Sequence, residues 1–293
     1  MPSLAVFFAV AFGLSSAVAA VVWRVEPGPL GRMGLFLLFM WGPALGAVVA
    51  QRVAGAKVLQ PLGVTLRPNR WWLVAWLAPV VVAVVTAGVG ALFPGVELQV
   101  SPDTLLARIA DSVPAEELAE ARASLSKLPP AATISLLLLQ VLIAGLSINA
   151  LAAFGEELGW RGFLHVRLAH LGFWRRSVVV GVAWGAWHAP VILLGHNYPD
   201  HPVVGVFMMI VFTILLSAPF ELVRERGGSV LAASVLHGSI NASAGLAVLF
   251  LRGGSDLLVG LTGLAGFLVL VVVNVGVHLL RSRRPAPSTP SAR

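Results

Sequence analysis

Three groups of polar residues interrupt otherwise apolar stretches of this sequence. They are Glu156-Glu157-Leu158-Gly159-Trp160-Arg161, Trp184-Gly185-Ala186-Trp187-His188 and His237-Gly238-Ser239-Ile240-Asn241. A charged side chain at the centre of a membrane helix costs about 2.5–3.5 kcal/mol on insertion scales, so such residues mark function. Spacing gives each group a physical meaning. Glu157 and Arg161 are four apart, share a helix face and are placed to pair. Glu156 is rotated about 100° from Glu157 and points elsewhere. His237 and Asn241 present two hydrogen-bonding groups on one face, and Trp184 packs beside His188 at the same spacing. One carboxylate, two imidazoles and one amide, gathered from three helices, can activate water and stabilise an oxyanion. That is the minimum equipment for hydrolysing an amide inside a membrane.

Each group also has a plainer reading. Glu157 with Arg161 is equally a structural ion pair at a helix end, and Glu156 a second interfacial acid. His188 alone is a hydrogen-bonded core histidine, and His237 with Asn241 is interhelical glue. The three readings have to hold together, on separate helices and at these spacings, for the chemistry to be absent.

Composition shows what must carry these groups. Of 293 residues, 58% are apolar and 11% charged, with mean hydropathy +0.89. A soluble globule carries about 25% charged residues, so this chain cannot cover itself for water. The expected fold is all-α, a polytopic membrane helix bundle of about eight transmembrane helices. Runs long enough to span occur near 4–23, 33–51, 71–93, 131–153, 177–195, 202–220, 230–251 and 257–280. With no cysteine, disulfides, thiolate metal sites and a cysteine nucleophile are excluded. The net charge of +7 sits in short loops, which fits topology and anionic lipid and not nucleic acid.

Loop charge sets the expected sidedness. Arg52, Lys57, Arg67 and Arg70 give the second loop +4 with no acid. The third loop sets Glu97, Asp103, Asp111, Glu116, Glu117 and Glu120 against Arg108, Arg122 and Lys127, a balance of −3. Arg281, Arg283, Arg284 and Arg293 make the C-terminal segment +4. The positive-inside rule therefore places both termini, the second loop and residues 154–176 in the cytoplasm, with the acidic loop outside. Glu156 follows a helix running inward, so the site is expected to open to the cytoplasmic leaflet. Pro102 to Lys127 reads as an amphipathic helix, and residues 285–293 as a disordered cytoplasmic tail. Ala17-Val18-Ala19-Ala20 looks like a signal-peptidase site, but Met1 to Val6 lacks the basic segment of a signal peptide; a retained helix is expected. The composition, rich in Ala, Val, Gly and Arg, points to a bacterial cell membrane.

The pattern E-E-x-x-x-R, an aromatic four residues before histidine, then H-x-x-x-N, resembles the CAAX-processing and bacteriocin-processing (CPBP, or Abi) family of intramembrane proteases. That family includes the type II CAAX prenyl endopeptidases. The flanks Gly181 to Pro190 and Arg226 to Asn241 are similar to it as well, and the resemblance covers about residues 130–250. Trp184 stands where the family more often has phenylalanine. The resemblance implies that Glu156 is the general base, assisted by His188, and that His237 and Asn241 stabilise the oxyanion. Glu157 and Arg161 would hold the site in shape. It implies a membrane-associated or prenylated peptide as substrate and membrane lipid as surroundings. It leaves metal dependence open: Glu156, His188 and His237 could supply three zinc ligands with a fourth place for water. No H-E-x-x-H helix exists and the set is scattered over three helices, which favours water activation without a metal.

The chain is thus expected to divide into residues 1–130 (three helices and the acidic loop), a protease core at 131–251, a last helix at 252–284 and the tail. The function expected is an intramembrane endopeptidase cleaving near the cytoplasmic membrane face. A proton-coupled transporter also uses buried Glu and His, but it predicts paired broken helices in two related halves, and neither is visible. A silent membrane partner or immunity protein is the third reading, opposed by the intact set of site residues.

Overall fold

A computed structural model describes residues 2–110 and 114–283. The expected tail at 285–293 lies outside the described residues. The chain is a helical membrane bundle: α1 (Pro2–Val25), α2 (Pro29–Met40), α3 (Gly42–Val53), α4 (Arg70–Gly90), α5 (Pro102–Ile109), α6 (Ala115–Leu125), α7 (Pro130–Leu146), α8 (Ile148–Glu157), α9 (His165–Arg167), α10 (Gly172–Trp187), α11 (Ala189–Ile192), α12 (Pro202–Gly227), α13 (Val230–Ser243) and α14 (Leu264–Ser282). Strands β1 (Glu97–Leu98) and β2 (Leu251–Arg252) form one short antiparallel pair.

Among the described residues, seven helical segments are long and apolar enough to cross a membrane. The fifth expected span, 177–195, is broken. Pro190 has no N–H and its ring crowds the carbonyl four residues back, so α10 stops at Trp187 and α11 restarts beyond His188. Its 16 residues cover about 24 Å, short of the ~30 Å hydrocarbon core. α10 is held by close packing on α12. A β-carbon at Gly181 would lie 2.6 Å from Ile214 Cα, and one at Gly185 2.5 Å from Ile210 Cα. Only glycine permits that approach.

The fourth span also differs from its expected bounds of 131–153. It kinks at Ser147, between α7 and α8, then continues through a π-helical stretch, Leu158–Leu164, to Arg167. The first helix is built into the fold: Phe7 and Ala11 are wholly buried, Phe7 stacks on Phe163, and Ser15 Oγ accepts a 2.8 Å bond from Trp187 Nε1–H. The acidic loop holds two short helices, α5 and α6, where one was expected, and no residue of α6 is buried.

The two ends of the bundle are each tied by hydrogen bonds. At one end, Asn69 Nδ2–H and Trp72 Nε1–H donate to the carbonyls of Arg226 and Gly227, and Arg167 donates to Gln51. This end carries the basic loop 54–69 and the end of α14. At the other, Gln99 N–H donates to the Phe250 carbonyl, Tyr198 O–H to that of Thr262, and Asp256 joins Asp200 N–H and His201. That end carries the acidic loop.

Candidate active site

Glu156 and Glu157 lie inside the fourth span, not beyond its cytoplasmic end as the sequence suggested. The helix does not stop at residue 153, and both side chains are buried, at 2% and 0% exposure. Being adjacent on a helix, they diverge and take different partners. Glu156 Oε2 accepts a 2.6 Å hydrogen bond from Trp184 Nε1–H. Glu157 Oε1 accepts from Arg161 Nη1 at 3.1 Å and pairs with His237 Nδ1 at 2.8 Å. Arg161 is itself wholly buried. Its guanidinium lies between two rings, 4.4 Å from the Trp184 centroid and 4.3 Å from that of Phe220, and it donates to Ser217 Oγ.

The histidine tautomers follow from these partners. Carbonyl and carboxylate oxygens only accept here, so the neighbouring ring nitrogens carry hydrogen. His188 Nδ1–H donates to the Trp184 carbonyl at 2.8 Å, which leaves Nε2 of the neutral ring as an acceptor. Nδ1–H of His237 donates to Glu157, and its Nε2 becomes a second donor when the ring is protonated. Trp184 contacts both rings, with centroids 6.1 Å from His188 and 5.3 Å from His237.

Glu156, Trp184, His188, His237 and Asn241 all line one cavity of about 350 Å³. Glu157 and Arg161 lie behind it and reach it through His237 and the Trp184 ring. Phe212, Leu216 and Phe220 of α12 give it an apolar wall. Exposure is graded along it: Glu156 and His237 are buried, His188 is half-buried, and Asn241, His196 and Asn197 are exposed. The cavity therefore opens at the end carrying the 193–201 loop. It is closed at the basic end, where Glu157, Trp160, Arg161 and Phe220 are all at 0% exposure.

Sequence reasoning missed three features. Trp184 was read as packing on His188, yet its N–H also holds Glu156; the indole in place of the family's more frequent phenylalanine was the available signal. Glu157 was paired with Arg161 alone, and nothing local reveals His237, 80 positions away. His196 and Asn197 sit in a loop without periodicity. As for the zinc set, no group of three His, Asp or Glu among the described residues is arranged to hold a metal ion. Glu156, His188 and His237 are not arranged as ligands to one ion.

A buried acid, two imidazoles and an amide around a membrane cavity define a candidate intramembrane hydrolase. Residues 135–243 match the sequence model of the type II CAAX prenyl endopeptidase Rce1-like family, and over that segment the chain is similar to CAAX-type proteases. A curated relative, CAAX prenyl protease 2 of Methanococcus maripaludis, is 39% identical over 49 residues. Those residues are 16% of this chain and 18% of the relative, so the match spans under a fifth of that protein.

Proposed function

We propose that this chain is an intramembrane peptide hydrolase acting on membrane-associated peptides. Water bound between Glu156 and His188 Nε2 gives a proton to the Glu156 carboxylate as its oxygen adds to the scissile carbonyl carbon. The oxyanion that forms accepts hydrogen bonds from His237 Nε2–H and Asn241 Nδ2–H. Collapse of this intermediate breaks the C–N bond, and the proton on Glu156 passes to the departing amine. Glu157 keeps His237 oriented, and Trp184 does the same for Glu156. A donor fixed before reaction is worth more in a buried site than in water, because it needs no reorganisation.

The observation that carries this reading is the division of labour between adjacent glutamates. One is pinned by a neutral indole and faces the cavity; the other neutralises an arginine behind it. A proton or ion pathway is less well supported, because the cavity ends blindly on wholly buried side chains at the basic end. The test is cleavage of a membrane-associated peptide, a prenylated CAAX peptide among the candidates, by purified protein in detergent. Glu156→Gln is expected to abolish cleavage while the protein stays folded; retained turnover refutes the assignment of the base.

A further inference from the structure

The indole of Trp160 carries a donor that the resting site does not use. Its Nε1–H is buried with no hydrogen-bond partner, and the whole side chain is at 0% exposure. That atom has essentially no accessible surface, so water in the cavity does not reach it. A buried tryptophan normally finds a partner for its N–H. Leaving the bond unmade is destabilising. Phenylalanine would pack among the same rings without that cost, so the N–H has work in another state of the site.

Glu156 is the acceptor nearest in register. It stands four residues before Trp160 on the same helix, a spacing that puts two side chains on one face. One position on, the same step closes Glu157 on Arg161 at 3.1 Å, across the start of the π-helical stretch Leu158–Leu164. The Trp160 N–H acts on the Glu156 carboxylate, yet no hydrogen bond between them is closed. The bond that Glu156 does accept comes from Trp184 and ends on Oε2.

The Trp160 ring is fixed from behind. It meets Phe7 of α1 edge to face, with centroids 5.7 Å apart, and Trp187 of α10 at 5.8 Å. Trp187 in turn donates to Ser15 Oγ of α1, and Ser15 donates to the Phe39 carbonyl. α1 lies outside the matched residues 135–243, and through this stack of rings it backs the base. With the ring held, closing the bond falls to the carboxylate.

We propose that Trp160 is a positioning residue for Glu156, giving its carboxylate a second indole N–H when the loaded site turns it towards bound water. Both donors are neutral, unlike the arginine that holds Glu157. A base held from two sides keeps the narrow geometry that proton transfer needs. The proposal rests on the peptidase reading.

Trp160→Phe keeps a ring against Phe7 and Trp187 and deletes the N–H. Its kcat should fall about tenfold with KM little altered and Tm unchanged or raised, since the orphaned donor is gone. Unchanged kcat overturns the proposal. A loss of turnover that merely follows a lower Tm also overturns it, because that marks a packing role. A second readout needs no turnover. In protein carrying isotopically labelled tryptophan, the Trp160 indole resonance is identified by its absence from Trp160→Phe. Glu156→Gln removes the neighbouring charge and should move that resonance; a resonance that stays in place overturns the proposal whether or not the protein cleaves peptides. Failure of the peptidase reading shows separately, as cleavage in detergent that is unaffected by Glu156→Gln.

Discussion

Replacing Glu157 with alanine should separate the fold from the chemistry. Its carboxylate is wholly buried and, among the described residues, is the one acid within hydrogen-bonding reach of the Arg161 guanidinium, 3.1 Å away. Without it, Arg161 keeps Ser217 and the faces of Trp184 and Phe220, and its nearest remaining carboxylate, Glu221, is beyond hydrogen-bonding reach and already paired with Arg176. Breaking a buried pair from one side typically costs about 3–5 kcal/mol. At roughly 2–4 °C per kcal/mol for a domain of 150–250 residues, Tm should fall by about 6–20 °C. Turnover should fall as well, since His237 loses the acceptor that orients it. Glu156→Gln should leave Tm within a few degrees, because the amide oxygen still accepts from Trp184, and yet abolish cleavage. Removing both charges, as Glu157→Leu with Arg161→Met, should recover much of the lost Tm without restoring turnover. The assay is thermal unfolding in detergent alongside peptide cleavage for all four proteins. If Glu157→Ala melts with wild type, or Glu156→Gln melts as early as Glu157→Ala, the division of labour is wrong.

Asn241 is exposed in the cavity mouth, so Asn241→Ala should fold normally and bind substrate unchanged while turnover drops about 10²–10³-fold, the usual loss for one oxyanion donor; an unchanged kcat removes it from the mechanism. Trp184→Phe keeps a ring against Arg161 but deletes the donor to Glu156; at about 1.5 kcal/mol for a hydrogen bond to a charged group, kcat should fall about tenfold with KM little altered. Equal kcat values would show that packing alone positions the base. Chelation should leave cleavage intact, and metal analysis should find substoichiometric zinc. Stoichiometric zinc that disappears in His237→Ala would refute the metal-free mechanism.

What could be read from the sequence was local or compositional. Apolar runs of about 20 residues require membrane helices wherever they occur, because an unpaired backbone has no partner in hydrocarbon. The Glu157–Arg161 pair was legible because four positions along a helix are neighbours in space. Everything that depends on which helices touch was decided by packing. His237 meets Glu157 because α13 runs antiparallel to α8, and Trp184 reaches Glu156 across 28 positions of chain. The end of the fourth span was misplaced because residues 154–167 mix charge with apolar bulk, and a hydropathy window cannot tell a loop from a helix buried on every side. In the fold Glu157 pairs with Arg161 and Glu156 is held by Trp184, all of them buried, so the helix continues and carries Glu156 with it. Which end of the cavity is closed is tertiary for the same reason, because only the packed helices decide it.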